Sequence, residues 1–255
     1  MTDAPKFAFS STTLALGGKT ILQDISVEIA AGEFLCIIGA SGCGKTTALR
    51  LAAGLYQPTA GEVRLDGRSM TAPRPDVAIV FQDYGKALLP WRTATGNISL
   101  AMEAGGLPKA ERGARIAELL NLVGLSGQGD KYPGEMSGGM QQRLQIARCL
   151  AQNPSVLLMD EPFGALDAMT RQGLQDEVLE LVARSGTTVI FVTHDLEEAI
   201  YLGDRVVGLL PHPGRVGIDV PVRLSRPRHQ LATREDPEFL RLRRELFDFI
   251  KGSEA

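Results

Sequence analysis

The chain has 255 residues, 44% of them hydrophobic, enough for one large domain or two small ones with ample core. Its 27 basic and 30 acidic residues leave a net charge of −3, which argues against a nucleic-acid binder, where a basic excess or stripe is usual. No apolar run approaches the roughly 18 residues needed to span a bilayer, and the start, with Asp3 and Pro5, does not read as a signal peptide. A soluble, cytoplasmic chain is therefore expected. Three cysteines without C-x-x-C spacing point to neither a disulfide framework nor a zinc site. Cys36 and Cys149 read as packing residues, and Cys43 as a thiol open to modification.

Taken in order, residues 6–38 are β-rich. Segments 6–11, 13–16, 25–29 and 34–38 read as strands, separated by turns at Gly17-Gly18 and Ala31-Gly32. The last runs into Gly39, Ala40, Ser41, Gly42, Cys43, Gly44, Lys45, Thr46 and Thr47, then into good helix formers stopped by Gly54. Strand, glycine loop, Lys-Thr and helix together satisfy the G-x-x-x-x-G-K-[ST] pattern and its required context. Glycines let backbone N–H groups close around phosphate oxygens, and the helix start adds a favourable dipole. Lys45 can reach the β and γ phosphates, and the Thr46 hydroxyl can bind Mg²⁺. The alternative is a plain glycine-rich turn.

Residues 62–66 and 77–81 read as further strands, the second ending at Gln82. From 83 to 152 the character turns helical. Residues 109–122 carry Ile116, Leu119 and Leu120 at helical spacing, and 137–152 form a helix capped by Ser137 and closed by Asn153-Pro154. Alternation then resumes: a strand over 156–159 leads to Asp160-Glu161, a helix covers 168–185, and a strand over 187–193 ends at His194. A short helix over 196–202, a strand over 205–210, an irregular stretch over 211–236 and an amphipathic helix over 237–251 complete the chain.

Four buried-type strands thus end in polar groups: the glycine loop, Gln82, Asp160-Glu161 and His194. Ligands of open parallel α/β sheets bind at the carboxyl ends of the strands, so these groups can converge on one site. Asp160 suits Mg²⁺ or a helix-capping role. Glu161 suits a carboxylate that polarises water, or a solvated acid at a loop start. Ser137-Gly138-Gly139, taken alone, is an N-cap turn.

The glycine loop, Gln82, Met136-Ser137-Gly138-Gly139-Met140-Gln141-Gln142-Arg143, the Asp160-Glu161 strand, Ala165-Leu166-Asp167 and His194-Asp195 occur in the order of ATP-binding cassette (ABC) transporter ATPases. The chain resembles that family over nearly its whole length. The resemblance implies an α/β P-loop NTPase core of RecA-like type, with an N-terminal antiparallel β subdomain and a helical signature subdomain. An ABC ATPase domain over 6–236, with the helical part inserted at about 86–153, would be followed by a C-terminal helix and tail over 237–255.

It further implies ATP hydrolysis with Glu161, His194 and Lys45 as catalytic residues. ATP would be held by the nine residues from Gly39 to Thr47 and by Gln82, Ser137, Gly138, Gly139 and Asp167; Mg²⁺ would sit on Thr46, Gln82 and Asp160. Two copies would meet head to tail, the phosphate loop of one facing Ser137-Gly138-Gly139 of the other, with Asp167 linking the two sites. Integral membrane permease subunits, and indirectly an extracytoplasmic solute-binding protein, would be partners, with no nucleic acid. The chain would lie on the cytoplasmic face of the inner membrane.

Leu88-Leu89-Pro90-Trp91, soon after Gln82, is similar to ATPases of the nitrate, sulfonate and taurine importer group, as are Pro211-His212-Pro213-Gly214-Arg215 and Arg226-Pro227-Arg228. Trp91 and Leu88 are candidates for the family's permease-binding groove, or for core. Leu16 stands where the family usually has an aromatic residue stacked on adenine, and Phe9 is a candidate replacement. Ala40 and Gly164 replace a common proline and serine without removing a phosphate ligand. Two other readings remain: a soluble ABC ATPase acting on ribosomes or DNA, and a nucleotide-binding module without turnover.

Overall fold

The computed structural model describes residues 4–82, 87–164 and 166–253. They form two compact units, one of residues 1–74 with 182–255 and one of residues 75–181. Positions 83–86 beside Leu-Leu-Pro-Trp, and Ala165 of the Ala-Leu-Asp segment, lie outside the described residues.

The first unit opens with an antiparallel sheet in the order β2-β1-β4-β5. β1 (Phe7–Leu16) pairs with β2 (Lys19–Ile29), and β4 (Ala60–Leu65) lies on its other side. The two strands expected over 6–16 are one strand with a bulge. The register shifts between Phe9 and Thr12, where Ser11 takes a left-handed φ of 43°. β3 (Phe34–Gly39) is buried at every position, as a strand covered on both faces must be, and is followed by α1 (Lys45–Ala52). β5 (Arg68–Ser69) completes the antiparallel sheet.

In the second unit β6 (Val77–Val80) pairs in parallel with β7 (Val156–Asp160). Between them lie α2 (Ala94–Ala104), α3 (Lys109–Leu122) and α4 (Gly138–Leu150). Only the latter two show a clear apolar period in sequence. The start of α2 is organised by a buried asparagine instead. The Asn97 side-chain oxygen accepts from Leu89 N at 2.9 Å, and its amide donates to the carbonyls of Leu89, Arg92 and Thr93 at 3.0–3.1 Å. α5 (Ala168–Ser185) follows β7.

The chain then returns to the first unit with β8 (Thr188–Val192), α6 (Leu196–Leu202) and β9 (Arg205–Leu210). β8 and β9 flank β3, both parallel to it. The stretch expected to be irregular contains β10 (Arg215–Pro221), antiparallel on β9, and α7 (Gln230–Glu235). β10 alternates half-buried with exposed positions, as an edge strand does. α8 (Pro237–Ser253) buries Phe239, Leu242 and Leu246 completely. Each of these contributes roughly 2 kcal/mol of hydrophobic stabilisation.

Candidate functional site

The register of the parallel strands decides what stands at their carboxyl ends. In the first unit Ile37 of β3 pairs with Val192 of β8, so Gly39 and His194, each two residues on, come level. In the second unit Val80 pairs with Met159, which brings Gln82 level with Glu161. Each pair of strands delivers two of the expected site residues to one end.

The glycine loop of the first unit is shaped from inside. Lys45 is buried, and its ammonium donates to the carbonyls of Gly39 (2.8 Å) and Ala40 (3.2 Å), holding the loop curled. Two glycines are sterically required. A Cβ on Gly39 would lie 2.6 Å from Cys43 Sγ and 2.7 Å from the Leu209 carbonyl oxygen. Gly44 has φ 101°, and a Cβ there would lie 2.6 Å from Leu22 Cδ2. Gly44 precedes α1 without a side-chain cap hydrogen bond, and the start of a helix favours an anion. Ser41 and Gly42 are exposed on the loop.

Cys43 is buried, and desolvation raises its thiol pKa despite the opposing pull of Lys45. A protonated, covered thiol is a poor nucleophile, which corrects the expectation of a modifiable cysteine. Cys36 and Cys149 are buried packing residues as expected, and burial pushes the Cys149 thiol to about 11.

His194 is exposed between two fixed points. Before it, the Thr193 hydroxyl donates to Glu198 Oε2 at 2.8 Å and accepts from Asp195 N at 3.0 Å. After it, the Asp195 carboxylate caps α6 by accepting from the N–H groups of Glu197 and Glu198 at 2.9 and 3.2 Å. Strand end and helix start together fix the backbone on either side of His194.

In the second unit Asp160 is buried at the end of β7 and Glu161 is half-buried. Glu161 takes φ 47°, an uncommon conformation for a residue with a side chain, and accepts from Gln82 Nε2 at 3.2 Å. The two neighbouring carboxylates are thereby turned to different environments.

Ser137 caps α4, its hydroxyl accepting from Met140 N at 3.3 Å. Gln141 braces the turn from behind by donating to the Pro133 and Met136 carbonyls at 2.9 and 3.2 Å. A Cβ on Gly139 would come within 3.0 Å of the Leu166 side chain, so this turn packs directly on Leu166. Asp167 stands exposed at the start of α5, where its carboxylate accepts from Thr170 N at 3.1 Å. That bond holds its pKa below the usual range.

Two secondary expectations change. Phe9 is buried against Phe7, with ring centroids 5.5 Å apart, and cannot offer a face to a base. Leu16, 39% exposed at the end of β1, remains at the surface. Leu88 is core, whereas Trp91 is 71% exposed. The Asn97 bonds fix the turn that displays it. Sequence reasoning passed over Asn97, whose only signal is a lone amide in an otherwise small and apolar helix.

Residues 22–164 match the ABC transporter family. A nitrate import ATP-binding protein, NrtC of Synechococcus elongatus, is 48% identical over 92% of this chain, although the chain spans only 36% of that protein. A bicarbonate transport ATP-binding protein, CmpD of Synechocystis, is 44% identical over 92% of the chain and 84% of its own length. Among solved structures, the dimeric, post-hydrolysis form of the ATP-binding cassette MJ0796 bound to ADP and Pi is similar with a TM-score of 0.75. It is 32% identical, covering 85% of this chain and 99% of that one. The chain belongs to the ABC transporter family and is an ATP-binding, ATP-hydrolysing cassette of α/β P-loop fold.

Proposed function

We propose that this ABC cassette works as a head-to-tail pair of copies on the cytoplasmic face of the membrane, driving import of a small nitrate-, sulfonate- or taurine-type solute through separate permease subunits. An extracytoplasmic solute-binding protein would deliver the solute. The observation that carries the reading is that one chain has two differently built helix starts, α1 after Gly44 with no side-chain cap and the Ser137-capped α4, each suited to an anion. Each chain would hold a nucleotide in its own loop and offer α4 to the nucleotide of its partner, so that twofold symmetry yields two complete sites. Relatives named for nitrate and bicarbonate import, and the dimeric MJ0796 cassette, support it. No helix among the described residues is long and apolar enough to cross a membrane.

The roles follow from the side chains. Residues 39–47 wrap the phosphates with backbone N–H groups, and Lys45 exchanges its loop carbonyls for phosphate oxygens. His194 donates to the terminal phosphate. Glu161, held by Gln82, orients the attacking water and takes its proton. Ser137, Gly138 and Gly139 contact the nucleotide of the other copy, and Asp167 couples the two sites. The Thr46 hydroxyl, the Gln82 amide oxygen and the buried Asp160 carboxylate are hard oxygen donors, the set that fits Mg²⁺ alongside phosphate and water. The ion would neutralise phosphate charge. Trp91, a large apolar side chain 71% exposed, is the residue we assign to the permease. Closure on ATP and reopening after hydrolysis supply the stroke.

Replacing Glu161 by Gln tests this assignment. Turnover should fall by about 10²-fold or more, while ATP affinity stays within about twofold of wild type. Turnover left unchanged removes Glu161 from the reaction.

A further inference from the structure

Beside the phosphate loop lies a cavity of about 460 Å³. One wall is Ser41 and its glycine-loop neighbours, with His194 and Leu196; the other is the last turns of α8, with Phe247, Ile250 and Lys251. Phe247, Ile250 and Lys251 follow one another at i, i+3 and i+4, so they share a face next to the fully buried stripe of Phe239, Leu242 and Leu246.

That face is held in place. The Phe249 ring lies over Gly208 of β9 and Gly217 of β10, so closely that a Cβ would approach it to 2.4 and 2.7 Å. Glu197 of α6, three residues after His194, accepts from Arg234 at 2.7 Å and from Arg243 at 3.1 Å. The C-terminal helix is therefore tied, through Arg243, to the same short helix that begins just after His194.

Among the described residues the lining holds one charged side chain, Lys251, together with His194 and Ser41, and no acidic residue. Phe247, Ile250 and Leu196 supply an apolar border, which lowers the local dielectric and strengthens attraction for an anion. A lysine facing the phosphate loop across this cavity, beside His194 and Ser41, suits the terminal phosphate of a nucleoside triphosphate.

We propose that Lys251 is a positioning residue for the terminal phosphate, giving the C-terminal helix a direct reading of whether ATP or ADP occupies the loop. The proposal rests on residues 39–47 holding the nucleotide. Lys251 acts on charge beyond the β-phosphate, so it favours ATP over ADP. Because α8 is tied to α6, the same contact links His194 to the tail of the chain.

Lys251 is exposed, so its substitution leaves the buried stripe of α8 untouched. The test is titration of the full chain with Mg²⁺-ATP and, separately, Mg²⁺-ADP. Lys251→Ala should weaken ATP about threefold to fivefold, the scale of one partly screened charge pair. Lys251→Glu should weaken ATP by about tenfold, reversing the sign of that charge, and Lys251→Arg should restore affinity to within about twofold. ADP should change less than twofold in all three. Unchanged ATP affinity in both Lys251→Ala and Lys251→Glu, whether or not self-association shifts, overturns the inference and leaves the nucleotide reading standing. Equal loss for ATP and ADP also overturns it. A wild-type chain that binds neither nucleotide overturns both.

Discussion

The two helix starts of this cassette solve the same problem in opposite ways. α1 begins after a glycine in a left-handed conformation, carries no side-chain cap, and lies against a loop curled around Lys45. α4 begins at a serine whose hydroxyl satisfies one N–H of its own first turn, with Gln141 bracing the backbone behind it. In the proposed function the first is a cradle for the phosphates of its own chain's nucleotide. The second, whose serine satisfies one of its own N–H groups, would add one face to a nucleotide held by another copy. The difference is why the two are expected to work on one nucleotide from different copies of the chain.

Disturbing the cradle should have the largest effect. Gly44→Ala forces a Cβ onto Leu22 at a φ of 101°, so the loop must shift. Displacement of phosphate-binding N–H groups on the ångström scale should weaken ATP binding on the order of a hundredfold, read by direct titration. An affinity within threefold of wild type would mean that the loop is not the phosphate cradle. Disturbing the shallow end should do less. Ser137→Ala removes a cap of roughly 1 kcal/mol, which should lower the thermal midpoint by a few degrees at most. ATP binding to the isolated chain should be unaltered, because this helix start serves the other copy, while turnover drops about fivefold, an expectation scaled on the loss of about one hydrogen bond at the nucleotide. Weakened binding to a lone chain would instead place both helix starts on the same nucleotide.

The curled loop between β3 and α1 was legible in the sequence because Gly39 and Gly44 are required where backbone and side chains come close, and Lys45 reaches back to the loop carbonyls. Strands β3, β7 and β8 were legible because strands buried on both faces read as unbroken apolar runs. What stayed hidden depended on distant partners. β10 is an edge strand rich in charge, and Gly217, which reads as a strand breaker, is there because the Phe249 ring lies over it. Ser11 hides a bulge that makes one strand look like two. The left-handed backbone of Glu161 and the four bonds of Asn97 leave no periodic trace in sequence. The cover over Cys43 is likewise a tertiary property, which its place in a loop motif does not reveal. α8 reads correctly as an amphipathic helix, but its approach to the phosphate loop follows from how β9 and β10 seat it.

The central claim is that a working site needs two copies of the chain. It is tested most directly by measuring ATP hydrolysis per molecule of wild-type protein across a wide range of protein concentration, with Lys45→Ala as the blank. The account predicts a specific activity that rises with concentration as copies associate, then levels off, and that is absent from the Lys45→Ala protein. A specific activity that stays constant down to concentrations at which the chain is shown to be monomeric would contradict it, because a single copy would then hold a complete site.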